Sequence, residues 1–237
     1  QVLGADTIRF GAGLAPGVYG GNAYVLAGQA TFSGRVTRRS DGAALSGVTV
    51  EFWSGGSRLA QVQTDGSGTF TWTHPNWPPA QPLDLVVIVP PNYQAVGATA
   101  PPPGQALNTW TIRYPATTAP GNYPDNNFTL AGVVTWSGQV VRFWDGRGVA
   151  GATVQLLLNG AQLLAQTTTD AAGFWSLTYT DWPVGGFVDL LLVPPAGYLP
   201  SEATAPPPGQ VIDARTIRYA GTVPVGSYPN NVYRLTV

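Results

Sequence analysis

Thr111-Ile112-Arg113-Tyr114, Pro120-Gly121-Asn122-Tyr123 and Asn126-Asn127-Phe128-Thr129-Leu130 form a phrase that this chain repeats. The phrase returns as Thr216-Ile217-Arg218-Tyr219, Val225-Gly226-Ser227-Tyr228 and Asn231-Val232-Tyr233-Arg234-Leu235. It occurs first as Thr7-Ile8-Arg9-Phe10, Pro16-Gly17-Val18-Tyr19 and Asn22-Ala23-Tyr24-Val25-Leu26. The spacings are 104 and then 105 residues. A period of that length is a whole small domain, so the chain reads as an array. It holds two full periods and about a fifth of a third.

Working outward, each period reads as short strands separated by turns. Ala30 to Val36 matches Val134 to Val140, and an Asp-Gly turn follows at Asp41-Gly42 and Asp145-Gly146. Gly47-Val48-Thr49-Val50-Glu51-Phe52 matches Gly151-Ala152-Thr153-Val154-Gln155-Leu156, and its alternation of apolar and polar residues predicts a half-buried strand. Thr64-Asp65-Gly66-Ser67-Gly68 and Thr169-Asp170-Ala171-Ala172-Gly173 lead into aromatic strands that end near Trp77-Pro78 and Trp182-Pro183, which read as loops. The most apolar runs, Leu83 to Val89 and Val188 to Val193, stop at Pro90-Pro91 and Pro194-Pro195 because proline cannot continue a ladder. The runs Pro101-Pro102-Pro103 and Pro206-Pro207-Pro208 predict stiff, extended segments covering an edge or bridging strands. About seven strands per period with no helical periodicity predict tandem Ig-like β-sandwiches. The expected division is a partial repeat over residues 1–28 and sandwiches over 29–132 and 133–237; in the other phase, units run from about residue 7 and leave Thr216 to Val237 as the surplus.

Composition narrows the chemistry. There is no cysteine and no methionine, and all eleven basic residues are arginine. Disulfides, thiolate metal sites and thiol nucleophiles are thereby excluded. Few side chains are soft targets for oxidants, which an extracellular setting and a biased genome explain equally well. The formal net charge of −1 leaves no electrostatic footprint for nucleic acid or anionic lipid. No apolar run approaches membrane-spanning length. The chain opens on Gln1 with no signal peptide, and so reads as a mature or excised piece.

The order Gly-x-Val, Asp-Gly, Gly-Val-x-Val, Thr-Asp-x-x-Gly-aromatic and Asn-Asn-Phe resembles the B-type repeat domains of bacterial surface adhesins, the collagen-adhesin B and serine–aspartate repeat protein B families. Carboxypeptidase regulatory-like domains share it. The resemblance covers both full periods and implies a transthyretin-like (prealbumin-like) sandwich. It departs from the families in two ways. The Lys–Asn isopeptide crosslink of many collagen-adhesin B domains is impossible without lysine, as is lysine-based pilin polymerisation. The calcium loops of the serine–aspartate family shrink here to one carboxylate each, at Asp41 and Asp145, where calcium takes six or more oxygens.

Candidate sites are few. The lone His74 has no counterpart in the second period, where Thr180 is nearest, and Glu51 and Glu202 do not recur either. Asp65 and Asp170 do recur, at positions where an Asp bonds its own turn. Asp84 and Asp189 recur with Arg113 and Arg218 as candidate ion pairs. These residues point to no enzyme, cofactor or metal. Trp77 and Trp182 have two readings: sugar-stacking faces of a carbohydrate- or protein-binding module accessory to a secreted enzyme, or residues that cap the base of each sandwich or fill the contact between units. Asn127-Phe128-Thr129 matches an N-glycosylation acceptor.

The surplus at the N-terminus bears most on function. Two strands alone are marginal in water, so Ile8, Phe10, Tyr19, Tyr24 and Leu26 need a partner surface. Either the chain is cut from a longer array, or the orphan strands add to a neighbouring molecule. A head-to-tail contact that does not close makes a filament. The sequence therefore predicts a structural, extracellular or cell-surface protein, a segment of a filament, stalk or adhesin. Its expected partners are copies of itself, neighbouring repeats of a longer chain, or glycans, with no nucleic acid and no membrane insertion.

Overall fold

A computed structural model describes residues 2–4, 7–8, 20, 28–77 and 79–237, and every regular element among them is a β-strand. In chain order the strands are β1 (Val2–Gly4), β2 (Thr7–Ile8), β3 (Gly28–Arg38), β4 (Thr49–Ser54), β5 (Ser57–Gln63), β6 (Thr69–Trp77) and β7 (Leu83–Ile88). They continue as β8 (Tyr93–Thr99), β9 (Gln105–Asn108), β10 (Thr111–Tyr114), β11 (Gly121–Tyr123) and β12 (Asn127–Arg142). The rest are β13 (Thr153–Leu158), β14 (Gln162–Thr168), β15 (Phe174–Trp182), β16 (Phe187–Val193), β17 (Leu199–Thr204), β18 (Gln210–Asp213), β19 (Thr216–Ala220) and β20 (Gly226–Thr236).

Each full period is a two-sheet sandwich. In the first, one sheet has the order β5-β4-β7-β10-β9, with Val50 opposite Val87 and Phe52 opposite Leu85. The facing sheet places β3 between antiparallel β6 and parallel β12, and β8 lies beyond β12. Alternation sends one face of each strand inward, so Phe32, Phe52, Leu85, Ile112 and Phe128 meet in one core. The second period repeats the plan as β14-β13-β16-β19-β18 against β15, β12, β20 and β17. Its core gathers Trp136, Leu156, Trp182, Leu190 and Tyr233.

The two sandwiches share a strand. The 16-residue β12 closes the first sheet through Asn127 to Gly132, pairing with β3 and β8, and then opens the second through Val134 to Arg142, pairing with β15 and β20. No linker separates the cores.

Three expectations change. The described strands outnumber seven per unit because β8, β9 and β11 were not visible in the pattern. All four residues of β9 are exposed, so no apolar alternation marks it. The triple prolines are tight turns rather than extended covers: the Gly104 N–H donates to the Pro101 carbonyl at 2.8 Å, and Gly209 to Pro206 at 2.9 Å. Each carries the chain from one sheet to the other. The N-terminal surplus also starts earlier in the period than its phrase suggests. β1 pairs β2 as Val2↔Ile8 and Gly4↔Thr7, the register in which β9 pairs β10, Ala106↔Ile112 and Asn108↔Thr111.

Candidate interface between sandwiches

The last strand of each unit is locked by a buried asparagine. Asn126 and Asn231 have no exposed surface. The Asn231 carboxamide oxygen accepts from the Tyr219 hydroxyl at 2.7 Å, and its nitrogen donates to the Tyr228 and Ser137 carbonyls at 2.8 and 3.2 Å. Asn126 does the same with Tyr114, Tyr123 and Ser33. Burial pushes the Tyr219 hydroxyl up to about 12 despite the opposing hydrogen bond to Asn231, and moves Tyr114 the same way, so both stay neutral donors. Just before each asparagine the backbone turns left-handed, at Asp125 (φ 63°) and Asn230 (φ 65°). One extra residue enters the last strand there: Trp136 faces Tyr228, but Gly138 faces Asn231. Only a glycine fits opposite, since a Cβ on Gly138 would lie 1.7 Å from the Asn231 carbonyl oxygen, and one on Gly34 equally near that of Asn126.

Beyond that lock lies the junction. The Val133 N–H donates to the Asn92 carbonyl at 2.8 Å, joining the far end of the first sandwich to the start of the second. Arg39 of the first pairs with Asp181 of the second. Gly132 permits the close crossing, because a Cβ there would sit 2.4 Å from the Trp182 carbonyl oxygen. A cleft of about 410 Å³ remains between Arg38, Asp41 and Tyr93 on one side and Trp182, Pro183 and the Thr222–Val225 loop on the other.

The tryptophans are part of this end structure. Trp77 and Trp182 end strands β6 and β15 rather than sitting in loops, and both are buried, at 3% and 1% exposure. Their indole N–H groups donate to the Thr118 and Val223 carbonyls at 2.6 Å. The sugar-stacking reading does not fit this placement: an indole buried to this degree has no face left for a sugar ring. Ile8 lies in β2, where only the backbone is described, and Phe10, Tyr19, Tyr24 and Leu26 lie outside the described residues. Asn127 is half-buried on β12, and its side-chain oxygen accepts from the Arg35 N–H at 2.9 Å. The glycosylation motif singled out Asn127, but the lock is its neighbour Asn126. Recurrence was the available signal, since Asn126 returns as Asn231 and Asn127 becomes Val232.

The ionisable groups are taken up structurally. His74 stands edge-on to Trp72 and Trp77, accepts from the Asn76 N–H through Nδ1, and has its pKa lowered by burial. Its partner in register is Ala30, so its counterpart is Tyr179, which faces Val134, and not Thr180. Asp65 and Asp170 accept backbone N–H groups of their own turns. Glu51 is held below the usual carboxylate range by Arg58 and the Trp53 indole. Among the described residues no three His, Cys, Asp or Glu side chains come together as metal ligands.

Asp84–Arg113 and Asp189–Arg218 are bidentate pairs in matching registers. They differ in burial: Asp189 is 5% exposed, and its arginine lies over the Phe187 ring at 3.6 Å, whereas the first pair is open to water. Asp189→Asn is expected to destabilise the second sandwich by about 1.5–3 kcal/mol. Asp84→Asn should cost under about 1 kcal/mol. Urea melts of the two variants, followed side by side, check the asymmetry.

No family model and no curated protein sequence matches this chain. Solved structures with a similar fold include the Bacillus anthracis TIE protein (12% identity over 88% of this chain and 34% of that one, TM-score 0.36). A streptococcal ancillary pilin is 13% identical over 87% of this chain and 62% of its own, with a TM-score of 0.33. The shaft pilin SpaA of Lactobacillus rhamnosus GG is 10% identical over 90% of this chain and 99% of its own, with a TM-score of 0.31. The chain thus spans about a third of the first of these and under two thirds of the second. By its own sheets and cores, the protein is an all-β chain of tandem sandwiches.

Proposed function

We propose that this chain is a structural segment of an extracellular surface filament, stalk or adhesin, built from sandwiches that follow one another head to tail. The observation that carries the reading is the route of the chain through each unit. It enters on the first strand and leaves on the last, and these two are parallel neighbours. In the second unit Val134 to Arg142 runs alongside Gly226 to Leu235. Tension applied at the two ends shears this ladder, so its hydrogen bonds are loaded together instead of unzipping singly. The lock at Asn231 joins the same two strands. With β12 crossing the junction unbroken, load passes between units without a slack linker.

In this reading residues 1–27 supply strands to a neighbour. Both described sandwiches already hold a full set of closing strands, so an incoming strand pairs at a sheet edge. Electron microscopy of native material, with antibody labelling of intact cells, tests the proposal. Long, thin, surface-attached particles are the expected result. Dispersed single molecules free of the surface would overturn it.

A further inference from the structure

The far end of the second sandwich carries an apolar surface that the first sandwich lacks at the same place. Phe143 is 54% exposed, Trp144 51% and Leu199 65%. Phe143 occupies the position of Arg39: its N–H donates to the Leu235 carbonyl as that of Arg39 donates to Leu130. In the first sandwich this end is where the second one sits. The groups lining the junction cleft from that side, Arg38, Asp41 and Tyr93, are all retained as Arg142, Asp145 and Tyr198. The Arg142–Asp145 pair keeps the 2.6 Å geometry of Arg38–Asp41.

Building on the head-to-tail reading above, we infer that this end face seats the opening end of the first sandwich of a second copy of the chain. The charges support that occupant over a random apolar partner. Within the chain, Arg39 meets Asp181. Counting back from Trp77 and Trp182, which face Gly28 and Gly132, the first sandwich has the exposed Asn76 where the second has Asp181, and His74 where it has Tyr179. The two substitutions are matched. Where the arginine becomes Phe143, the aspartate it would have met becomes an uncharged amide. A contact between copies thus buries no unpaired charge, whereas Phe143 against Asp181, or Arg39 against Asn76, would strand one. The charged and apolar junctions therefore keep a fixed alternation along an array.

The test is sedimentation velocity and negative-stain imaging of the full 237-residue chain over a range of concentrations. The wild type is expected to associate, and Phe143→Glu to weaken association by about tenfold or more. Asn76→Lys, on the opposite end, should do the same. Phe143→Arg combined with Asn76→Asp should restore association in a salt-sensitive form, copying the internal pair. Filaments that persist unchanged in Phe143→Glu and Asn76→Lys would overturn the end-face contact while leaving the filament reading intact. Closed rings or short oligomers abolished by these variants, with no long particles from native material, would support the contact and remove the filament. A wild type that stays monomeric throughout would overturn the contact.

Discussion

Asn231→Ala is expected to lower the stability of the second sandwich by about 3–5 kcal/mol while leaving the first nearly untouched. The asparagine is fully buried, and three groups depend on it: the Tyr219 hydroxyl and the carbonyls of Tyr228 and Ser137. Alanine takes all three partners away and admits no bulk water. Each buried polar group left without a partner costs about 1–3 kcal/mol, against a whole-domain stability of about 5–15 kcal/mol. Asn231→Asp separates the contributions. It keeps an acceptor for Tyr219 but aims a second oxygen at two carbonyl oxygens, so it should be at least as damaging as alanine. Tyr219→Phe leaves only the amide oxygen unmet and should cost about 1–3 kcal/mol. Denaturant melts check the order. Equal midpoints for wild type and Asn231→Ala would mean that the lock carries no stability. The corresponding changes at Asn126 should fall on the first sandwich, because the two cores are separate clusters.

The repeat made most of the fold legible. Strands with one wet and one dry face, such as β4 and β13, announce themselves by alternation, and double prolines mark where β7 and β16 must stop. What alternation cannot reveal are strands wet on both faces. β9 and β18 expose all four of their residues, and nothing in Gln105–Asn108 separates them from a loop. The loop placement of Trp77 and Trp182 erred for a related reason. Proline after each tryptophan ends the strand, but the indole itself already points into the core, held by a carbonyl from a distant loop. That bond spans 41 residues, and no local pattern encodes it.

The interface was legible only in part. The shared β12 was not read: the division at 132/133 treats the strands on either side of Gly132 as separate, and the structure runs them together as Asn127–Arg142. The assignment of Phe143 to the place of Arg39 needs the hydrogen-bond register as well as the alignment. The recurring Asp–Arg pairs were readable because both members recur, at β7–β10 and β16–β19. Their unequal burial was not, because it depends on Phe187, whose ring lies on Arg218.

Gly138→Ala should be the most damaging single methyl in the second sandwich, and Gly34→Ala in the first. Glycine is required here by crowding: the new Cβ would lie 1.7 Å from the Asn231 carbonyl oxygen and 2.6 Å from its carbon. Both are backbone atoms of the bulge, so no side chain can swing aside. Relief means moving the last strand off the first, which breaks the bond that Asn231 makes to Ser137 as well. A clash of that kind belongs to the rare class costing more than about 4 kcal/mol. Gly185→Ala is the control, with nothing within 4 Å of its new methyl, and should stay within about 0.5 kcal/mol of wild type. Tryptophan fluorescence during urea unfolding reads both, since Trp136, Trp175 and Trp182 report on the second core. A Gly138→Ala midpoint equal to that of Gly185→Ala would show that the two strands separate freely there, and would weaken the shear-loaded ladder on which the mechanical reading stands.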